Sequence, residues 1–259
     1  MNIEHISVSR RNVYGECPQR YKYQYHLKLP STEPEPFYFI YGKIVHRIAE
    51  EYVREEGAQS IQDITDLIFS GDMKLEDDRE GNPVFAPRTL PKEYKKKFPG
   101  HMRAIQNLTD QIGFGGHLEY EFRYDLDPPN EKFIKGFIDR IIIRDGNYFI
   151  LDYKTTKKGR FRKTRVNIID DIQLRIYAKV VQKEFDVPAN KIKAALHYVE
   201  GNDLIGASFS QKSLDEAEKT MLDAYNQISM ADPDKVQGYV GDYCRRCDYR
   251  KICPFYSLT

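Results

Sequence analysis

Tryptophan, cysteine and long apolar runs are scarce in this chain of 259 residues. It has no Trp and only four Cys. No stretch approaches the roughly 18 consecutive apolar residues of a transmembrane helix, so we predict no membrane span and no membrane partner. The first residues, MNIEHISVSRRN, lack the apolar segment of a secretory signal, which predicts a cytoplasmic protein. Without secretion, four Cys are more typical of metal ligands or unpaired thiols than of disulfides.

Two further absences narrow the function. There is no G-x-x-x-x-G-K-[ST] loop, so the chain alone is not expected to be a nucleotide-driven motor. There is also little net charge, since 40 Lys and Arg face 39 Asp and Glu. That balance argues against a nucleic-acid partner only if the charges are evenly spread. They are not, because residues 50–80 carry eleven acids against three bases, a pattern typical of a solvated face, and a later segment is wholly basic.

Length and periodicity indicate an α/β fold. The length suits one elaborated domain or two small ones with a buried core. Helical spacing predicts helices, with a break at Pro18 in the first, at residues 7–28, 37–56, 92–112, 169–186 and 213–230. Alternating segments predict strands at residues 117–126, 132–144 and 147–155, as an antiparallel meander that turns at Asp145-Gly146-Asn147. A hairpin around Gly201-Asn202 follows.

Two acids and a lysine fall where two of these strands meet. Asp139 lies in GFIDR, and Asp152-Tyr153-Lys154 begins thirteen residues later. With the turn between them, the strands can pair and bring Asp139 near Asp152, while period two puts Asp152 and Lys154 on one face. Two carboxylates can hold Mg²⁺ or Mn²⁺, which activates water against a phosphodiester, and a neighbouring lysine can orient or deprotonate that water.

The alternative is a surface strand on which these residues make ordinary ion pairs. Against it, Asp139 and Asp152 lie inside the apolar runs FIDRIII and FILDYK, where an unpaired charge is costly. Acids in such surroundings favour a functional or metal-binding site.

The segment GFIDRIIIRDGNYFILDYKTTKK resembles motifs II and III of the PD-(D/E)XK nucleases of the RecB type. Asp139 matches the first Asp, Asp152 the (D/E) position and Lys154 the K. Upstream, Gly42-x-x-x-His46 resembles the helix motif of that branch, which implies that His46 is a metal ligand. Taken alone, a His on an apolar-looking helix is more often a core residue. The resemblance extends over residues 5–255.

Two more features agree with that branch. Gln173-x-x-x-Tyr177 resembles its downstream helix motif, and the i, i+4 spacing puts both side chains on one helix face. Glu119 or Glu121 resembles the acid that precedes the first Asp on the neighbouring strand. Alternation puts both acids on one face, so parity cannot separate them, and we lean to Glu119.

The resemblance implies a fold and a set of roles. The fold is a restriction-endonuclease-like core, with a mixed central sheet flanked by helices, a helical N-terminal insertion and a Cys-rich C-terminus. The implied ligands of one or two Mg²⁺ or Mn²⁺ ions are His46, Asp139, Asp152, the Tyr153 carbonyl and Glu119. Lys154 would position the water, and Gln173 and Tyr177 would orient the lysine or the DNA.

All four cysteines enter one pattern. Cys17 lies near the start, and Cys244-x2-Cys247-x5-Cys253 lies near the end. Four thiolates can hold Zn²⁺ or a [4Fe-4S] cluster, and spacing alone leaves zinc, cluster and unpaired thiols open. The pattern resembles the iron–sulfur staple of AddB-type and CRISPR-associated RecB-like nucleases, which implies a [4Fe-4S] cluster with a structural role.

A basic run begins at Lys154 itself. Residues 154–165, KTTKKGRFRKTR, hold no acid. The candidate DNA-binding residues are Lys157, Lys158, Arg160, Phe161, Arg162, Lys163 and Arg165. The cations can contact phosphates and Phe161 can stack on a base. The alternative is a flexible basic loop.

We therefore expect a single RecB-like nuclease domain over residues 1–259, with a helical insertion at 57–115 and the cysteine staple. The resemblance implies a metal-dependent DNA exonuclease acting on single-stranded ends, with 5′→3′ polarity favoured. Its setting would be recombination, repair, phage DNA metabolism or CRISPR adaptation, in the cytoplasm of a bacterium or of a phage's host, with recombination, helicase or CRISPR adaptation proteins as partners. The alternatives are a structure-specific endonuclease on the same fold and a non-catalytic DNA-binding scaffold subunit.

Overall fold

The structure is a computed structural model that describes residues 1, 3–78, 81–157, 159 and 162–256. The chain divides into two compact units. The terminal unit comprises Met1–Glu35, Glu121–Gly136 and Gln211–Thr259. The central unit comprises Pro36–Tyr120 and Phe137–Ser210.

The helices are α1 (Val8–Glu16), α2 (Pro18–Tyr21), α3 (Phe37–Arg54), α4 (Ile61–Ser70), α5 (Lys92–Ile112), α6 (Ile172–Glu184) and α7 (Gln211–Met230). The strands are β1 (Glu76–Asp77), β2 (Pro83–Val84), β3 (His117–Asp127), β4 (Lys132–Arg144), β5 (Asn147–Lys154), β6 (Ile192–Tyr198) and β7 (Asp203–Ser208). Short 3₁₀ turns occur at Pro128–Asn130, Ile168–Asp170, Ala189–Lys191, Asp242–Arg246 and Arg250–Ile252, and a π-helical turn at Lys22–His26.

Five strands form a mixed sheet in the order β3-β4-β5-β6-β7. Strands β4 and β5 are antiparallel, β5 and β6 are parallel, and β6 and β7 are antiparallel. The parallel pair is possible because α6 makes the crossover between β5 and β6. The predicted α/β class, with a mixed central sheet flanked by helices, is confirmed.

The turn between β4 and β5 follows from two residues. Asp145 and Gly146 both have positive φ, 50° and 69°. A two-residue loop with this geometry matches the twist of the flanking strands, and Asp-Gly is among its preferred sequences. The ladder then runs from Arg144 opposite Asn147 to Arg140 opposite Leu151, and it ends immediately before Asp139 and Asp152.

The core of the central unit lies between three helices and the sheet. Ile44 of α3, Ile64 of α4 and Ile105 of α5 are fully buried in one cluster with Leu151 and Tyr153 of β5. The apolar stripe at i, i+3 and i+4 on α3 follows the predicted helical spacing. This packing holds α3 against the strand that carries the candidate site.

The predicted insertion, residues 57–115, contains α4 and α5 but also a two-stranded hairpin of β1 and β2. The hairpin was not expected, because strands of two residues carry no measurable periodicity. The expectation that residues 1–259 form a single domain remains a prediction.

The terminal unit joins the two ends of the chain. The Ser7 hydroxyl caps α1 by accepting a hydrogen bond from the Arg10 amide at 3.1 Å, and Pro18 begins α2 just after Cys17, where the break was predicted. The Tyr225 hydroxyl of α7 donates to the Ile3 carbonyl at 2.9 Å. The N-terminus is therefore held against the last long helix.

Among the described residues, no helix combines the length and the apolar character that crossing a lipid bilayer would require.

Candidate active site

The end of the β4–β5 ladder brings Asp139 and Asp152 together. The Tyr153 backbone N–H donates to Asp139 Oδ2 at 2.8 Å. This bond fixes the first carboxylate relative to the second strand. Asp152 is buried, with 1% of its surface exposed. A carboxylate at that depth needs compensation by a cation or a proton.

Lys154 supplies that compensation. Its Nζ lies 2.6 Å from Asp152 Oδ2, as expected for residues two apart on a strand. The same Nζ donates to Gln173 Oε1 at 3.2 Å. The lysine therefore bridges strand β5 and helix α6.

The start of α6 positions the remaining pair. The Asp171 carboxylate caps the helix by accepting from the amides of Gln173 and Leu174 at 3.0 and 3.1 Å. The Gln173 side-chain Nε2 then donates to the Tyr177 hydroxyl at 2.7 Å. The two side chains share one helix face, as their i, i+4 spacing predicts, and their contact extends the chain of contacts that begins at Asp152.

His46 reaches the carboxylates from α3. Its Nδ1 lies 3.3 Å from Asp139 Oδ2. The ring is also 6.2 Å, centroid to centroid, from the Tyr153 ring in an edge arrangement. The alternative of a fully buried core histidine does not fit, since the His46 side chain is 33% exposed.

Glu119 joins this site because β3 breaks its alternation there. Glu119 has a φ of 44°, in the left-handed region that Glu rarely adopts. Strict alternation would give Glu119 the same environment as Glu121, which is 55% exposed and pairs with Lys135 at 2.7 Å. Glu119 is instead half-buried beside His46 and Asp139. Strained backbone of this kind is concentrated at functional sites.

Three residues form what we call the metal group: His46, Glu119 and Asp139. One ligand atom from each lies within 4.8 Å of the others, and no second such group of His, Cys, Asp or Glu occurs in the described part of the chain. One imidazole and two carboxylates suit a hard or borderline divalent cation such as Mg²⁺ or Mn²⁺. Asp152, predicted as a ligand, lies outside the group and pairs with Lys154.

The electrostatics of the site are those of crowded acids. Burial, reinforced by the Asp139 carboxylate, raises the pKa of Glu119 to about 7. Burial also raises the pKa of Asp152 to about 6, against the attraction of Lys154. A cation at the metal group would favour the ionised forms, so these acids fit a metal site.

Lys154 and Tyr177 both hold their protons. Burial acts to lower the pKa of Lys154, but the charges of Asp152 and Asp139 outweigh it and raise that pKa above its usual value. Burial, followed by the same two carboxylates, raises the pKa of Tyr177. At neutral pH the site therefore offers an ammonium and a phenol as proton donors.

Arg140 is a residue that sequence reasoning missed. It is fully buried, and its guanidinium donates to the carbonyls of Gly113 and Gly115 at 2.6 and 3.0 Å. A Cβ at neighbouring Gly116 would overlap the Ile141 carbonyl, so only glycine fits there. These contacts fix the loop that leads into Glu119. The available signal was a charged residue within the apolar run FIDRIII.

The basic run is only partly described. Lys158, Arg160 and Phe161 lie outside the described residues. Arg162 is engaged in the fold, with NH1 3.0 Å from Asp203 Oδ2 and its guanidinium over the Tyr198 ring at 4.1 Å. Lys163 Nζ lies 3.4 Å from Asp171.

Two other members of the run remain accessible. Lys157 and Arg165 are exposed. Lys157 also lies near Lys97, whose pKa is lowered first by burial and then by the charge of Lys157. The run therefore mixes cations that stabilise the fold with cations open to a ligand.

The four cysteines meet in the terminal unit. Cys17, Cys244, Cys247 and Cys253 all line one cavity of about 20 Å³, which we call the cysteine cavity, and no disulfide joins them. Burial raises the pKa of the Cys247 thiol. No three of their Sγ atoms lie within 4.8 Å of one another. Ligands of one tetrahedral zinc ion would lie about 3.8 Å apart, given Zn–S bonds of about 2.3 Å.

Comparisons with known proteins bear on the whole chain. Residues 5–254 match the family model described as the PD-(D/E)XK nuclease superfamily. A solved structure from Eubacterium rectale, described as a candidate exonuclease, is similar with a TM-score of 0.54 and 12% identity, covering 99% of this chain and 93% of that one. The structure of SSO0001 gives a TM-score of 0.46 at 15% identity, covering 99% and 88%. At such identities, the Eubacterium likeness shows the fold alone.

Proposed function

The chain belongs to the PD-(D/E)XK nuclease superfamily, and on that basis we propose that it is a metal-dependent exonuclease that hydrolyses phosphodiester bonds at single-stranded DNA ends. The observation that carries the proposal is the metal group beside the Asp152–Lys154 pair. Cation ligands and a protonated lysine within one site are what hydrolysis of a charged phosphodiester requires.

In the proposed mechanism, His46, Glu119 and Asp139 would hold the cation, and Asp152 and the Tyr153 carbonyl would be its further ligands. When bound, Mg²⁺ or Mn²⁺ would lower the pKa of a water and neutralise charge on the phosphate. Asp152 also holds Lys154 in place through the 2.6 Å ion pair.

Lys154 acts as a hydrogen-bond donor. Because its pKa is raised, its Nζ stays protonated at neutral pH and can orient the water and stabilise negative charge on the phosphate. Gln173 fixes the direction of that ammonium through the 3.2 Å contact, and Tyr177 fixes Gln173. The pair are positioning residues rather than catalytic ones.

Exonucleolytic action and 5′→3′ polarity rest on the resemblance to RecB-type relatives, and the structurally similar candidate exonuclease agrees with the former. The expected setting is recombination, repair, phage DNA metabolism or CRISPR adaptation, with the helicase, recombination or adaptation proteins of a bacterial cytoplasm as partners. Polarity is tested by cutting single strands labelled at either the 5′ or the 3′ end in Mn²⁺.

Two rival functions are separable. A structure-specific endonuclease would open a closed circular single strand, which an obligate exonuclease must leave intact. A scaffold subunit would bind DNA and cut neither substrate. Linear single strands degraded beside untouched circles support the proposal, whereas cut circles or uncut linear strands contradict it.

For DNA contacts we propose the accessible cations of the basic run, Lys157 and Arg165, together with Lys158, Arg160, Phe161 and Lys163. Arg165→Ala should reduce the salt dependence of single-strand binding by about 0.7 in log–log slope, the effect of one lost phosphate contact. Arg162→Ala, which breaks the Asp203 pair, should lower stability and leave the slope unchanged. Equal log–log slopes for Arg165→Ala and wild type would argue against DNA contacts through the basic run.

For the cysteines we propose a [4Fe-4S] cluster that staples the chain ends. Four thiols at one cavity support a metal centre, and the resemblance to the iron–sulfur staple of AddB-type nucleases favours a cluster over one zinc ion. Anaerobic purification should yield a brown protein with broad visible absorbance and about four irons per chain, as the cluster's composition requires. A colourless protein that contains one zinc ion per chain would contradict the cluster and assign the cysteines to zinc.

A further inference from the structure

A groove beside the metal group is lined in part by residues that the hydrolytic mechanism does not use. It has a volume of about 590 Å³, and we call it the metal-side groove. His46 and Glu119, two members of the metal group, line it, together with Lys43, Arg47, Leu75 and Phe137. Whatever occupies the groove therefore lies against the cation that the proposed function requires.

Helix α3 and the β1–β2 hairpin supply most of the walls of the groove, and Glu119 and Phe137 complete them. Lys43, His46 and Arg47 are spaced along one face of α3 at i, i+3 and i+4. The opposite wall is the β1–β2 hairpin with Leu75, Glu76 and Asp77. Lys43 Nζ lies 3.0 Å from Glu76 Oε1 and ties the hairpin to the helix. The groove is thus a built feature with fixed sides.

Charge in the groove does not suit binding through phosphates alone. The Arg47 guanidinium is held by Glu50 at 2.9 Å and Glu51 at 2.8 Å, and Lys43 is paired with Glu76. Asp77 and Glu119 add further acid. With its cations compensated in this way, the groove has little positive charge left for a phosphate backbone. A ligand must gain its affinity there by another contact.

Phe137 offers that contact. This residue is 48% exposed and lies two residues before Asp139 on β4. An aromatic face left in water among polar groups gains free energy when a flat, apolar surface covers it. Every nucleobase has such a face, and stacking on an aromatic residue is the usual way proteins hold unpaired bases.

We propose that the metal-side groove is a nucleobase subsite in which Phe137 stacks on an unpaired base next to the phosphodiester to be cut. The inference rests on the proposed function and deepens it by naming the form of DNA that the site accepts. A base inside a duplex is already stacked and has no free face for Phe137. The subsite therefore selects single strands and frayed ends.

The absence of Trp from the chain gives a direct test. Phe137→Trp places a single fluorophore in the groove. The matched control is Ile143→Trp, on the same strand, 46% exposed, and about 20 Å away at the rise of a strand. Both are made in the Lys154→Ala background, so that the probe is not degraded. The probes are a short oligothymidylate and an abasic strand of equal length.

The expected result is saturable quenching of the Phe137→Trp emission by oligothymidylate, with little change on the abasic strand and none in the Ile143→Trp protein. Equal responses to both strands would mean contact with the backbone, and no response at saturating DNA would mean no contact. Either result overturns the subsite.

Kinetics give an independent readout. With Lys154 intact, Phe137→Ala should raise the KM for single strands at least about fivefold, the weak end of base stacking, while Phe137→Tyr should stay near wild type. If wild type fails to cut DNA at all, the proposed function falls, but base-dependent quenching would still establish the subsite. If wild type cuts and Phe137→Ala has an unchanged KM, only the subsite falls.

Discussion

The metal group in the central unit and the cysteine cavity in the terminal unit both collect metal-ligating side chains, but the chain assembles them differently. Hydrogen bonds and ion pairs already fix the carboxylates of the central unit, as in the 2.8 Å bond from the Tyr153 amide to Asp139. The thiols line one cavity without three of them reaching ligand spacing. The first site is preorganised by its fold, whereas the second gathers its thiols at one cavity without that preorganisation.

The distance along the chain explains this difference. Asp139 and Asp152 are thirteen residues apart across a two-residue turn, so strand pairing alone brings them together. Cys17 and Cys244 are 227 residues apart, and closing such a loop costs much conformational entropy. A ligand shared by both ends would therefore contribute mainly to stability, and a cation at the metal group mainly to chemistry.

The largest expected effect that tests the contrast between the cysteine cavity and the metal group is a loss of stability. Cys247→Ser should remove the proposed cluster and, by the loop-closure analogy with a disulfide, about 5 kcal/mol of folding free energy. The melting temperature should fall and the bound iron should be lost together. Cutting per folded molecule should change little, because the carboxylate site keeps its contacts. An unchanged melting temperature and iron content would contradict the staple.

The next effect separates two neighbouring acids. Glu119→Gln should weaken Mn²⁺ binding and lower the cutting rate by about 10²-fold, as expected when a group that supports transition-state charge is lost. Glu121→Gln removes an exposed acid paired with Lys135 and should leave both quantities near wild type. Titration of free Mn²⁺ by electron paramagnetic resonance measures the binding. Equal losses in the two variants would remove the special role of Glu119.

A smaller effect concerns the support of Glu119. Arg140→Met removes the donors to the Gly113 and Gly115 carbonyls, which should weaken Mn²⁺ binding by about 10- to 100-fold, as for other residues that orient a ligand. Arg144→Met is the control, because Arg144 also donates to a carbonyl, that of Ile112, but is exposed at the end of the strand. Similar Mn²⁺ affinities in both variants would show that the loop does not need the buried arginine.

The smallest expected effect is a dependence on pH in metal-free protein. The pKa of Asp152 is raised by burial from 3.8 to about 6, so the folded state binds more protons than the unfolded state between these values. That stabilisation is complete below the lower value and is lost as pH rises through the higher one. The melting temperature should therefore fall by a few degrees from pH 5 to pH 8. Added Mn²⁺ should raise the melting temperature by more at pH 8 than at pH 5. Asp152→Asn should reduce the trend to the part that Glu119 contributes, because burial also raises the pKa of Glu119, to about 7, and a rising melting temperature would contradict the prediction.

Much of the site could be predicted because its geometry is local. The Asp145-Gly146 turn sets the register of β4 and β5, and the i, i+4 spacing of Gln173 and Tyr177 leads directly to their 2.7 Å hydrogen bond. Period two likewise predicts the pairing of Asp152 with Lys154. Each of these follows from the repeat of one secondary-structure element.

The remainder depended on tertiary contacts. Alternation could not reveal the positive φ of Glu119, which separates it from Glu121. Nor could a count of cations show that Arg162 is held by Asp203 while Arg165 is exposed. The β1–β2 hairpin, which walls the metal-side groove, is too short for a periodic pattern. For Glu119 and Arg162 the deciding neighbours, His46 and Asp203, lie far away in the sequence.

The central claim is that the metal group and Lys154 together hydrolyse phosphodiester bonds. The most direct measurement is the release of label from linear single-stranded DNA by wild type and Lys154→Ala, with and without Mn²⁺. We expect wild type to cut only with Mn²⁺, and Lys154→Ala to be slower by about 10²- to 10³-fold per folded molecule. A Lys154→Ala protein that cuts as fast as wild type, or a wild type that cuts equally well in chelator, would contradict the claim.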